Sequence, residues 1–160
     1  MRSRKTIAAL ALAGGLAAPV VLAASPAAAM AATCRVELYD IDAGSPAERD
    51  GQDELRFIVQ GNLFPRFDDT HYPMRSGDDG DPADFENPTA IISSTENVAF
   101  NLREADGPIW GQGDGLGIVT AFGATCAGLD TDETEIVDET LEGFQPTEYD
   151  YRVRLKMTGL

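Results

Sequence analysis

The sequence predicts an all-β protein, a single antiparallel β-sandwich of about seven to eight strands. Three observations carry that prediction. Apolar and polar residues alternate with period two in one segment after another. Clusters of Gly, Pro, Asp and Asn separate those segments. No long stretch keeps the period of an amphipathic helix. A closed barrel is the alternative arrangement of the same strands.

Residues 1–31 stand outside this pattern and read as a signal peptide. Arg2, Arg4 and Lys5 form a positive start, and Ile7 to Leu22 is an Ala/Leu/Val run broken by Gly14, Gly15 and Pro19. Ala27-Ala28-Ala29 and Ala29-Met30-Ala31 are both acceptable cleavage sites. A transmembrane anchor is discounted, because the run is interrupted and no later segment reaches roughly 18 apolar residues. A lipid anchor on Cys34 lacks the expected aliphatic residue before the cysteine. The expectation is a secreted, extracellular domain over residues 32–160.

Thr33 to Ile41 sets Cys34, Val36 and Leu38 against Arg35 and Glu37 as a first strand. Asp42 to Asp53 reads as a loop, carrying Gly44, Pro46 and Gly51. Glu54 to Gln60 alternates Leu55, Phe57 and Val59 with polar residues, then Gly61-Asn62 turns the chain. Leu63 to Asp69 is a further short strand, limited by Pro65. Asp68 to Pro88, rich in Asp, Gly and Pro, reads as a long loop too polar to bury. Its acids Asp78, Asp79, Asp81, Asp84 and Glu86 lack the EF-hand spacing, so a solvated loop is expected there. Thr89 to Ser93, Asn97 to Arg103 and Leu116 to Phe122 are the next strands. Leu129 to Glu142 holds seven acids in fourteen positions, with Glu135 to Val137 as a short edge strand, and the run Asp130 to Glu142 reads as a charged edge that resists aggregation. Tyr149 to Met157 closes the chain with the cleanest alternation of all.

Without the leader, nine basic side chains face 27 acidic ones, since three of the 12 lie before residue 6, for a formal charge of −18. That sign argues against nucleic acid and anionic lipid as partners unless cations intervene. Cys34 and Cys126 are the only cysteines, and in an oxidising compartment they are expected to form one disulfide.

The acids near Phe100–Gly117 matter most. Glu104 and Asp106 precede the tip Gly107-Pro108-Ile109-Trp110-Gly111, and Asp114 follows it. Carboxylates this close repel unless solvated, protonated or bridged by a cation, and hard oxygen ligands suit calcium. A sandwich gathers its loops at two ends, so Asp40, Asp42, Asp50 and Asp53 can meet this second group at one rim. Gly51-Gln52-Asp53-Glu54 leading into a strand, with Glu104-x-Asp106 and Asp114-x-Leu116-Gly117, resembles the C-two (C2) domain, the calcium-dependent module of protein kinase C and synaptotagmins. The resemblance implies an eight-stranded sandwich, here in a bacterial-style secreted chain, with calcium ligands at Asp53, Glu104, Asp106 and Asp114 and a further candidate at Asp50. It also implies that Pro108, Ile109 and Trp110 insert into a membrane surface once calcium neutralises the acids beneath them. Exposed aromatics equally anchor protein or glycan contacts, and Trp110 folded back as a cap on the sandwich is the competing reading.

The expected function is therefore a non-catalytic domain that binds calcium at an acidic rim and engages a surface or partner. A plain secreted interaction or inhibitor domain without metal is the alternative. A small hydrolase using two carboxylates is the third reading. His71 is the only histidine, which excludes a metalloprotease histidine pair, and no Gly-x-Ser-x-Gly motif occurs.

Overall fold

The computed structural model describes residues 30–66, 70–105, 113–144 and 146–160. Its strands are β1 (Thr33–Ser45), β2 (Gln52–Val59), β3 (Asn62–Phe64), β4 (Tyr72–Arg75), β5 (Asp79–Gly80), β6 (Thr89–Ser93), β7 (Val98–Glu104), β8 (Asp114–Ala121), β9 (Thr134–Phe144) and β10 (Glu148–Gly159). A 3-10 turn, Pro82–Phe85, and a four-residue helix, Gly123–Cys126, complete the elements among the described residues. Among those residues no helix is long and apolar enough to cross a membrane.

All the described pairings between strands are antiparallel, and they build two sheets. The first has the order β5-β1-β10-β9, with β6 also on β1; the second has the order β3-β2-β7-β8, with β4 also on β2. In each sheet one edge is shared by two short strands end to end. β6 pairs with Thr33–Glu37 of β1 while β5 pairs with Ile41 and Asp42. Likewise β3 takes the far end of β2 and β4 takes Gln52–Leu55. The ten described strands thus occupy eight positions, and the sandwich expected from the alternation is the one observed.

The inward rows of the two sheets supply the core. Val36, Leu38 and Ile41 of β1 and Tyr151, Val153, Leu155 and Met157 of β10 face Leu55, Phe57, Val59, Phe100, Leu102 and Val119. Burying side chains of this size contributes about 1.5–3 kcal/mol each. Cys34 and Cys126 are bonded and wholly buried, tying the start of β1 to the short helix.

Three segment expectations need correction. The first strand does not stop at Ile41. A bulge at Tyr39 lets it run to Ser45, with Ile41 and Ala43 inward, so the loop shrinks to residues 46–51. The acidic stretch after Asp68 is not simply solvated: it supplies β4, β5 and the 3-10 turn, and it buries Met74 and Phe85 completely. Phe85 sits edge-on to Phe57 and Tyr72, with ring centroids 5.1 and 5.3 Å away. The charged edge strand is far longer than three residues, since β9 spans Thr134–Phe144.

Candidate functional site: an acidic rim

Chain direction decides which loops share an end of the sandwich. The β1–β2 loop, the β4–β5 turn, the segment between β7 and β8, and the β9–β10 turn all leave their strands at one rim. Acids remote in sequence therefore converge there. One oxygen from each of Glu48, Glu54 and Glu104 lies within 4.8 Å of the others. Glu104 is only 3% exposed, whereas Glu48 and Glu54 are half-buried. A cleft of about 410 Å³ opens beside them, lined by Glu48, Glu104, Asp114, Leu116 and Tyr149 among others.

A bulge puts Asp114 in this cleft. Leu102 pairs with Gly117 but Arg103 pairs with Gly115, so Leu116 is one residue extra on β8. That extra residue flips the parity of the strand. Leu116 turns inward, and Asp114 lands opposite Glu104 on the same face. Gly113, at φ +69°, closes the return; a Cβ there would lie 1.8 Å from the Glu104 carbonyl oxygen. The Arg103 guanidinium donates to the Gly113 carbonyl and holds that return in place.

The sequence-derived ligand set is distributed as follows. Glu104 and Asp114 come together as expected. Asp53 belongs to the interior: it is wholly buried, and both carboxylate oxygens accept hydrogen bonds from within the protein. Asp50 is exposed and accepts from the Gln52 N–H at 3.1 Å, the bond of a turn. Asp106 and the tip Pro108, Ile109 and Trp110 lie outside the described residues. Glu48 and Glu54 were missed. Glu54 reads in the sequence as a polar position of a strand, Glu48 is not singled out there, and nothing in their spacing foretells a meeting with Glu104.

Burial raises the pKa of the phenol of Tyr149, whose hydroxyl donates to the Leu116 carbonyl at 3.0 Å. Burial also raises that of Tyr151, followed by its hydrogen bond to Asp53 and the charges of Asp53, Glu104 and Asp150. Both phenols therefore stay neutral donors behind the acidic cleft.

A second trio, Asp40, Asp42 and Asp79, meets on the outer side of the first sheet, again with one oxygen from each within 4.8 Å of the others. There a cationic side chain is already present. Arg154 pairs with Asp40 and lies 3.0 Å from Asp42.

The site thus defines an antiparallel sandwich with converging carboxylates at one loop rim. No protein-family model matches the chain, and no curated protein matches it in sequence. In fold the chain resembles synaptotagmin C2 domains. The paired A and B C2 domains of extended synaptotagmin 2 align with a TM-score of 0.48 and 11% identity, over 93% of this chain and 48% of that one, so this chain spans about half the length of that structure. The A-type C2 domain of a plant extended synaptotagmin 1 aligns with a TM-score of 0.46 and 7% identity, over 82% of this chain and 98% of that one.

Proposed function

We propose that this protein is a secreted, non-catalytic sandwich that binds calcium at its acidic rim and through that rim engages a surface or partner. The observation that carries the reading is the meeting of Glu48, Glu54 and Glu104, from two separate segments, with Asp114 lining the same cleft. The donor set fits the ion. These are hard, anionic oxygens, and calcium takes about six to eight oxygens, part of which water and backbone carbonyls supply. Glu48, Glu54, Glu104 and Asp114 would hold it, with Asp106 a further candidate from the adjoining segment. Bound calcium would supply positive charge that offsets the mutual repulsion of these groups and joins the β1–β2 loop to the end of β7. The tip Pro108-Ile109-Trp110 is the proposed contact with a membrane, protein or glycan surface.

Thermal unfolding with and without calcium tests this. A ligand that binds only the folded state stabilises it by about 2.7 kcal/mol at a hundredfold excess over Kd. Calcium is expected to raise the melting temperature, and the E104Q/D114N double variant is expected to lose that rise while remaining folded. An unchanged melting temperature up to millimolar calcium overturns the metal reading and leaves the metal-free interaction domain. That second reading draws support from the Asp40 trio, where the Arg154 guanidinium itself pairs with the clustered acids.

Export is part of the same proposal. Of the two cleavage sites, the earlier one, after Ala29, has the support of the fold: the Ala31 N–H donates to the Leu129 carbonyl at 2.8 Å, and Met30 bridges to Asp130. Intact-mass measurement of secreted material is expected to give a chain beginning at Met30.

A further inference from the structure

We propose that Asp53 is the positioning residue of the calcium site, not one of its ligands, and that Tyr151 is the strut that holds it. This rests on the calcium reading above. Asp53 belongs to β2 in one sheet and Tyr151 to β10 in the other, and both are wholly buried. The Tyr151 hydroxyl donates to Asp53 Oδ2 at 2.5 Å, across the interior between the sheets. The same oxygen accepts the Ala47 N–H at 2.7 Å, and Oδ1 accepts the Glu48 N–H at 2.8 Å. Three of the roughly four acceptor positions of a carboxylate are thereby filled. From the opposite side, Thr147 donates to the Ala47 carbonyl through its N–H at 3.1 Å and its hydroxyl at 2.7 Å.

The consequence falls on Glu48. Its backbone is clamped between a buried anion and the β9–β10 turn, so its side chain projects from a fixed point towards Glu54 and Glu104. Bonds from N–H groups to an ionised carboxylate are among the stronger ones a protein makes. A loop held this way is ordered before the ion arrives, and ordering done in advance does not subtract from affinity. Asp53 therefore acts through Glu48.

Two variants and two measurements test this. Y151F removes one donor from Asp53 and alters no atom that faces the ion, whereas D53N weakens the whole clamp. Calcium titration by calorimetry is expected to show binding weakened about 10–100-fold in D53N, the range seen when partners of metal ligands are lost, and weakened in the same direction in Y151F. Amide hydrogen exchange without calcium is expected to show Ala47 and Glu48 protected in the native chain and exposed in D53N. If D53N binds weakly while Y151F binds normally and the two amides stay protected, Asp53 is a ligand and the proposal is overturned. Unchanged affinity in both variants overturns it as well. A native chain that ignores calcium defeats the calcium reading and, with it, any role for Asp53 in a site. In that case exchange at Ala47 and Glu48 still reports whether the clamp exists. Should D53N fail to fold, Y151F decides, with normal calcium affinity overturning the proposal.

Discussion

Acidic side chains dominate this chain, yet individual ones do opposite things. Asp40 and Asp138 both lie on the first sheet and both have arginine neighbours. Burial raises the Asp40 pKa above its usual 3.8, the hydrogen bond to Asp79 adds to that, and the Arg154 charge does not cancel it. At Asp138 the hydrogen bond from Arg152 dominates and lowers the pKa instead. The stability consequences have opposite signs. Folded Asp40 keeps its proton where the unfolded chain has lost it, so its contribution is full at low pH and is lost as pH rises above the ordinary carboxylate range. Asp138 contributes above that range, and its contribution is lost as pH falls through its lowered value. Urea midpoints measured across the acid range are expected to rise more steeply with pH in D40N than in the native chain, and less steeply in D138N. Slopes that shift in the same direction would contradict the assignment. The effect at Asp138 is expected to be small, because its side chain is 37% exposed and solvent screens the pair.

Strands and turns show how acids also serve the backbone. Asp78 accepts from the Arg75 N–H at 2.7 Å, Asp84 from Asp81 at 2.9 Å, Glu86 from Arg66 at 3.0 Å and Glu133 from Asp130 at 2.8 Å. These bonds order the turns that the composition alone suggests are solvated. The 3-10 turn goes further, because it drives Phe85 into the core. Phe85→Ala is expected to lower the unfolding free energy by about 3–5 kcal/mol, read by chemical denaturation. A loss no larger than a surface substitution gives would return that segment to the solvent. β9 carries the opposite device. Among the described strands it pairs with β10 alone, and Glu135 and Glu139 stand opposite the inward-facing Met157 and Val153. Charges directed inward on an outer strand deter a second chain from adding to it.

In the whole molecule the disulfide and the acidic rim stand at opposite ends of the sandwich. Cys34 and Cys126 are 92 residues apart, and a bond closing so long a loop contributes about 4–5 kcal/mol through the unfolded state. The C34A/C126A variant is expected to lose stability up to that amount in denaturant titrations while leaving the proposed calcium response unchanged, because the disulfide sits at the end of β1 away from the acidic rim. Loss of the calcium response in a variant that remains folded would show that the two ends of the sandwich are coupled.

Alternation along β2, β7 and β10, the tight turn around Gly61 and the lone cysteine pair are properties of short segments or of simple counting. The fold class was legible from them, because a pleated strand and a tight turn impose local rules on residue choice. So was the nearness of Glu104 to Asp114, which flank one connection, but not the face that Asp114 takes. The remainder of the rim was not legible. Glu54 reaches Glu104 because β2 pairs with β7, Glu48 because its loop is tied back to Asp53, and Asp114 takes the cleft face only because one extra residue at Leu116 reverses the parity of β8. Asp53 looked like its acidic neighbours until the packed sheets placed Tyr151 against it. A sequence written in strands announces which side chains alternate; which of its charges meet, and which are buried as braces, depends on sheet pairing over distances that no local pattern encodes.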